Sequence, residues 1–163
     1  MKSLFILMVF IFLYSASFAQ KDYRKFRKNL FTQTNEVDTF NVQSHLITID
    51  KIQAHIEANP NHYDAYYDLG MEYYTLASKE KLKDSKFWQQ SIDAFNNYVE
   101  NAPKKRKFLG YQNLAVIYGL LDNCKEVQLY MKLRNDATPK KIKSTFIESA
   151  NTCIRSTCLE KEN

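Results

Sequence analysis

The sequence predicts an all-α protein. Glycine and proline are rare, with only three of each in 163 residues, whereas the helix-forming residues Leu, Lys, Glu, Gln and Ala are common. Apolar residues also recur at intervals of three and four over much of the chain, which is the spacing of one face of an α-helix. These observations favour a set of amphipathic helices joined by short connections.

The first nineteen residues are typical of a secretory signal peptide. Lys2 precedes an apolar run from Leu4 to Leu13, and Ser17 and Ala19 are small residues of the kind that signal peptidase recognises. The run is about ten residues long, shorter than the roughly 20 that a membrane span needs, so an uncleaved anchor is the less favoured alternative. We therefore expect residues 1–19 to be cleaved and 20–163 to be periplasmic or secreted, and not an integral membrane protein.

Charge and motifs argue against several functional classes. A net charge of +5 is too small to indicate a nucleic-acid partner for an exported chain. The only histidines are His45, His55 and His62. They form no His-x3-His motif, and the chain has no Gly-x-Ser-x-Gly motif and no glycine-rich phosphate loop. We expect no enzyme activity, cofactor or metal, and a packing or surface role for His55.

A pattern of four residues occurs twice. Residues 66–77 read YYDLGMEYYTLA and residues 110–121 read GYQNLAVIYGLL. An aromatic residue, a leucine, a small residue and a second aromatic residue stand at offsets 0, 3, 4 and 7, on one helical face. The two sets are Tyr66, Leu69, Gly70 and Tyr73, and Tyr111, Leu114, Ala115 and Tyr118. Because glycine within a helix costs about 1 kcal/mol relative to alanine, the small residue predicts a close helix crossing.

Each pattern is followed by a second helix that ends at a proline. In both copies a small or β-branched residue is followed four positions later by a large one and then, eight positions further on, by proline. The residues are Ser91, Phe95 and Pro103 in the first copy and Val127, Met131 and Pro139 in the second. A partial copy, with Thr48 and Ile52, ends at Pro60. Proline ends these helices because its ring cannot continue them.

These motifs resemble the tetratricopeptide repeat, whose signature is Trp-x2-Leu-Gly-x2-Tyr, then Ala-x3-Phe, then Pro. Residues 108–141 match the family's period of about 34 residues. The first copy has about nine extra residues around 78–86, which suggests a longer loop between its helices. The sequence departs from the family where Tyr replaces Trp, where Ala115 replaces Gly, and where Ser91 and Val127 replace Ala.

The resemblance implies a right-handed solenoid of antiparallel helix pairs over residues 41–139. Small residues would lie where paired helices cross, Gly70 near Ser91 and Ala115 near Val127. Residues 140–163 have the apolar spacing of a capping helix followed by a tail. Residues 20–40 form a basic, amphipathic N-terminal segment, with a short helix expected at about 22–34.

The resemblance also implies a concave groove, lined by the first helix of each pair, that binds peptides. We call its inward-facing positions in this sequence the stripe: Asp64, Tyr67, Met71, Tyr74, Leu109, Gln112, Val116 and Leu120. Tyr and Met suit an adaptable, partly apolar peptide site. The stripe has no lysine, so the family members that clamp a carboxylate are not a model for it. The alternative is that the N-terminal segment or the capping helix covers the stripe.

Two basic clusters follow the prolines, one repeat apart. They consist of Lys104, Lys105, Arg106 and Lys107, and of Lys140, Lys141 and Lys143. Stacked along one side they form what we call the basic edge, which would suit an anionic envelope component. A solvated, solubilising edge is the favoured alternative. The basic and aromatic residues 21–28 would suit contact with an anionic surface, but a solvated leader is the favoured interpretation.

Three cysteines, Cys124, Cys153 and Cys158, cannot all pair within one chain. Export permits disulfides. Cys124 and Cys153 each lie about 20 Å from the turn at Pro139, at 1.5 Å per residue, on helices expected to be antiparallel. This favours a Cys124–Cys153 disulfide. Pairing of Cys158 with either of the others, and free thiols, remain open.

The sequence therefore predicts a non-enzymatic protein–protein interaction module of the cell envelope or secreted space, which binds a peptide in the groove. The main alternative is a structural component of an envelope assembly that packs by its edges. A third interpretation is an envelope-surface binder that uses the basic edge.

Overall fold

A computed structural model describes residues 23, 25–30, 41–80 and 86–139, and every regular element in these ranges is an α-helix. The all-α prediction is thus confirmed. Helix α1 includes residues 23 and 25–30, and the others are α2 (Val42–Ala58), α3 (Tyr63–Glu80), α4 (Lys86–Asn101), α5 (Lys107–Leu120) and α6 (Cys124–Ala137). The predicted signal peptide and residues 140–163 lie outside the described residues. None of the described helices has the length and apolarity needed to cross a membrane.

Side-chain caps define the start of two helices. The side-chain oxygen of Asn41 accepts hydrogen bonds from the backbone amides of Gln43 and Ser44, at 2.9 and 3.3 Å. Asn123 does the same for the amide of Glu126 at 3.3 Å. These asparagines satisfy amides that have no partner within their own helix. Asp122, just before the second cap, has a φ of 58°, a left-handed conformation that Asp tolerates better than most residues.

Helices that are consecutive in sequence pack against each other. Contacts are most extensive between α3 and α4 and between α5 and α6, and smaller between α2 and α3 and between α4 and α5. The ring of Tyr67 contacts Tyr98 at a centroid distance of 5.2 Å, and Tyr74 contacts Trp88 at 5.8 Å. Later residues of α3 therefore meet earlier residues of α4, so these two helices are antiparallel.

Helices α3 and α4 approach closely at Gly70. A Cβ atom on Gly70 would lie 2.9 Å from two ring carbons of Phe95, closer than real Cβ contacts come. Phe95 has no exposed surface, and Ser91, one turn before it, is equally buried. The large buried cluster that surrounds this crossing includes residues of α1 to α5, and a smaller one around Ala115 and Val127 joins α5 to α6.

The extra residues of the first repeat do not form only a longer loop, as the sequence suggested. Helix α3 continues through Glu80 and has 18 residues, and α4 begins at Lys86, whereas α5 has 14 residues. Only residues 81–85 separate α3 from α4, and they lie outside the described residues. Leu76 and Ala77 are fully buried on the last turns of α3, so these turns carry apolar residues that the core can bury.

Candidate functional site

The stripe is partly accessible. Leu120 is 44% exposed, and the other seven stripe residues are half-buried. Tyr67 packs its edge against Phe95, with ring centroids 5.6 Å apart, and Tyr74 makes a similar contact with Trp88 at 5.8 Å. These two rings therefore help to join α3 to α4 and still keep part of their surface for contact with another molecule.

Gln112 is the polar centre of the α5 half of the stripe. Its side-chain oxygen Oε1 is buried and has no hydrogen-bond partner among the described residues. Leu109 and Val116 lie about one helical turn before and after it, and both are half-buried. A buried acceptor without a hydrogen-bond partner costs about 1–3 kcal/mol, so a bound group that donates to this oxygen would recover that free energy.

The residues of the repeat pattern are mostly structural. Leu69, Gly70, Tyr73, Ser91, Phe95, Leu114, Ala115 and Val127 are buried; Tyr66, Tyr111, Tyr118, Met131 and Pro139 are half-buried; Pro103 is exposed. Tyr118 stacks on Tyr130 with ring centroids 5.5 Å apart and planes 7° from parallel. The pattern therefore supports helix packing.

The structure describes only the first cluster of the basic edge. Lys104 and Lys105 are exposed in the α4–α5 connection, while Arg106 and Lys107 are half-buried. Lys107 donates a long hydrogen bond of 3.5 Å to the backbone oxygen of Glu100. Lys140, Lys141 and Lys143 lie outside the described residues, so the stacking of the two clusters stays a prediction.

The N-terminal segment is not a solvated leader where it is described, which corrects the sequence-based expectation. Tyr23 and Leu30 are buried in the main apolar cluster, although Lys25 is exposed. The Tyr23 hydroxyl donates a 2.7 Å hydrogen bond to Oδ2 of Asp68, and Nε of Arg27 lies 2.8 Å from the same oxygen. The buried carboxylate of α3 thus anchors α1.

The ionisation of this anchor is set mainly by its burial. Removal from water raises the pKa of Asp68, and the hydrogen bond from Tyr23 and the charge of Arg27 oppose that rise without cancelling it. Burial and the neighbouring Asp68 charge raise the pKa of Tyr23. The phenol therefore stays protonated and remains a hydrogen-bond donor across the physiological range.

A histidine pair lies beside the anchor. Nε2 of His55 lies 2.7 Å from Nδ1 of His62, and the two rings stack with centroids 5.0 Å apart. Phe26 of α1 stacks on His55, with ring centroids 4.9 Å apart. Burial, and then the charge of His62, lower the pKa of His55. The sequence could not reveal this pair because the turn at residues 59–62, which brings the two rings together, leaves no periodic signal.

A cleft of about 410 Å³ lies between α2, α3 and α4. Its apolar surface includes Leu69 and Tyr73, and its polar surface includes Glu57 of α2 and Gln90 and Asp93 of α4. At 100° per residue, the α3 residues that line it lie on nearly the opposite side of that helix from the stripe. In the sequence, these α3 residues belong to the repeat pattern, which predicts helix packing and gives no sign of a cleft.

Cys124 begins α6 and is half-buried. Cys153 and Cys158 lie outside the described residues, so the Cys124–Cys153 disulfide stays a prediction. Within the part of the chain that the structure describes, no group of three or more His, Cys, Asp or Glu side chains is placed to hold a metal ion.

The chain matches no protein-family model, and comparisons with curated proteins and with solved structures found no match. The assignment of a function therefore depends on the sequence pattern and on the geometry of these surfaces.

Proposed function

We propose that the chain is an exported, non-enzymatic helical-repeat protein, similar to tetratricopeptide-repeat proteins, that binds a peptide segment of a partner protein along the stripe. The extensive packing of α3 with α4 and of α5 with α6 supports an arrangement of helix pairs. A small residue at the equivalent position of each first helix, Gly70 and Ala115, supports the repeat. The N-terminal sequence pattern supports export.

The observation that carries the proposal is the unpaired side-chain oxygen of Gln112 within an apolar, partly exposed surface. The backbone of an extended peptide offers N–H groups that can donate a hydrogen bond to this oxygen. Apolar side chains of the peptide would pack on Met71 and Leu120, and Asp64 would add a polar contact at the other end of the stripe. Such a site combines apolar contact area with a few fixed polar groups, as peptide sites commonly do.

Two matched leucine variants test the proposal. Leu120 on the stripe is 44% exposed, and Leu129 on α6, outside the stripe, is 47% exposed. Because nearly half of each residue is exposed, a glutamate at either position can keep its charge in water, and we expect neither Leu120→Glu nor Leu129→Glu to disturb the fold. The wild-type protein and each variant would be used for affinity capture from an envelope extract, with circular dichroism to check helicity.

We expect the wild type and Leu129→Glu to capture the same partner and Leu120→Glu to lose it. Overlapping synthetic peptides that cover the captured partner would then identify the segment that binds. A partner that both variants hold equally would contradict binding along the stripe and would favour packing by the edges. Loss of the partner at high salt alone would favour the basic edge.

A further inference from the structure

The cleft between α2, α3 and α4 presents hydrogen-bond acceptors. The side-chain oxygen Oε1 of Gln90 is buried and has no hydrogen-bond partner among the described residues. Gln53 directs an amide N–H to the Tyr73 hydroxyl at 3.0 Å, and Asn97 directs one to the backbone oxygen of Asp93 at 2.9 Å. The side-chain nitrogens of Gln53 and Asn97 therefore donate within the protein, while their side-chain oxygens stay available to a ligand.

The electrostatic character of the cleft is negative. Glu57 and Asp93 are exposed at its edge, and neither has a salt-bridge partner within the described ranges. The carboxylate of Asp93 accepts one hydrogen bond from a side chain, at 2.8 Å from Gln89, and this bond engages only its Oδ1 atom. No lysine or arginine among the described residues lines the cleft. Two carboxylates without a cation attract a positively charged group.

The apolar part of the cleft suits the stem of a long side chain. Leu69 and Tyr73 are buried beneath it, and the ring of Tyr66 is half-buried at its side. Lysine and arginine side chains combine an aliphatic stem with a charged end, so the stem can pack on apolar surface while the end reaches carboxylates. An aromatic ring adds a favourable contact with a cation that lies over its face.

We propose that this cleft binds an arginine or lysine side chain of a partner's peptide segment, with the aliphatic stem against Leu69 and Tyr66 and the cation between Glu57 and Asp93. The buried side-chain oxygen of Gln90 accepts a hydrogen bond from the peptide or from the charged group itself. This site is separate from the stripe, because the α3 residues of the two surfaces lie on nearly opposite sides of that helix. Its occupancy does not depend on the proposed function.

Titration with two dipeptides tests the proposal. The probes are acetyl-Leu-Arg-amide and acetyl-Leu-Gln-amide, which differ in the cation. The protein is expressed from the full-length sequence with ¹⁵N, purified as the cell processes it, and followed by NMR amide shifts. We expect the arginine probe to shift the amides of Gln90, Asp93 and Ala94 and to bind at least fivefold more tightly than the glutamine probe.

Two double variants identify the carboxylates that matter. Glu57→Gln/Asp93→Asn removes both charges from the cleft at exposed positions. Glu100→Gln/Asp136→Asn removes two exposed charges elsewhere, so the two variants have the same net charge. We expect the first to weaken binding of the arginine probe at least fivefold and the second to leave it within a factor of two.

Three results would overturn the proposal. They are equal binding of the two probes, unchanged binding of the arginine probe to Glu57→Gln/Asp93→Asn, and the absence of shifts at Gln90, Asp93 and Ala94. Because Glu57 and Asp93 are exposed, binding should also weaken as salt rises past about 0.1 M, where the Debye length is about 10 Å. Binding that salt does not weaken would argue against the charge pairing.

Discussion

The hydroxyl group of Ser91 donates a 2.7 Å hydrogen bond to the backbone carbonyl oxygen of Gly70. Both residues are buried where α3 and α4 cross. A Cβ atom on Gly70 would lie 2.9 Å from the Phe95 ring of α4, so a side chain at position 70 would strain this crossing. The contact accounts for the glycine in mid-helix, whose missing side chain allows the approach.

Enlarging Gly70 should destabilise the protein through Phe95. The Cβ atom of Gly70→Ala would lie 2.9 Å from the Phe95 ring, which is buried and cannot swing into solvent. Overpacking typically costs about 1–3 kcal/mol, and alanine recovers up to about 1 kcal/mol of helix propensity. We therefore expect a modest loss for Gly70→Ala and a larger one for Gly70→Leu, measured by urea unfolding.

A double-mutant cycle identifies the cause. Phe95→Leu alone should destabilise the protein because it leaves unfilled space. In combination with Gly70→Ala, part of that loss should be recovered, since the new methyl group occupies space that the ring has left. Strictly additive free energies would show that the ring contact does not limit substitution at position 70.

Removing the Tyr23 hydroxyl should loosen the attachment of α1. Tyr23→Phe keeps the buried ring but deprives the Asp68 carboxylate of a hydrogen bond, at a cost of about 1–3 kcal/mol. Tyr66→Phe is the matched control, because no hydrogen bond of the Tyr66 hydroxyl is found within the described residues. Hydrogen exchange of residues 25–30 should quicken in Tyr23→Phe alone. Equal unfolding free energies for the two variants would refute an anchoring role for the bond.

The histidine pair should make stability fall on mild acidification. The lowered pKa of His55 means that the folded protein binds fewer protons than the unfolded chain does below the unperturbed value of 6.5. The contribution of neutral His55 is complete above pH 6.5 and is lost as the pH falls through the pKa of the folded state. Asp68 acts in the opposite sense, since its raised pKa favours the folded state on acidification.

Comparison with His55→Gln separates the pH effect of His55 from that of Asp68. The variant keeps a hydrogen-bonding side chain but removes the titrating ring, while His62, Arg27 and Asp68 remain. We expect the free energy of unfolding to fall less between pH 7 and 5 in the variant than in the wild type. A wild-type curve parallel to that of His55→Gln would exclude His55 as the source of the pH dependence.

Peptide mapping without reductant tests the predicted disulfide. We expect a crosslinked pair of peptides that contain Cys124 and Cys153, and an alkylated peptide that contains Cys158. The same digest after reduction should yield all three cysteines as separate alkylated peptides. Recovery of alkylated Cys124 from the unreduced protein would contradict both of the pairings that involve it.

The helices were predictable from sequence because each repeats an apolar spacing over several turns. Thr48 and Ile52 of the partial copy keep the spacing of the other two copies, and both residues are buried on α2 in the structure. Gly70 could be recognised as a packing position for a similar reason, since a small residue recurs at its equivalent in α5. Local periodicity therefore carried most of what the sequence revealed.

Contacts between distant segments could not be predicted in this way. Tyr23 reaches Asp68 across 45 positions, and a single polar residue on a helix does not identify its partner. Asp68 lies next to Leu69 of the repeat pattern, and only the packing of α1 shows why a carboxylate is buried there. The cleft was missed for the same reason, since it requires the relative placement of three helices.

The length of α3 also has a consequence for the order in which the helices unfold. Leu76 and Ala77 on its last turns are fully buried, and Phe87 and Trp88 at the start of α4 are nearly so. Helices α3 and α4 thus bury apolar surface beyond the length of α5, which is one turn shorter. In the helical-repeat arrangement that we propose, the helix pair with the most internal contact is the last to unfold. The amides of α3 and α4 should therefore exchange most slowly, so this pair forms the most persistent unit of the described chain.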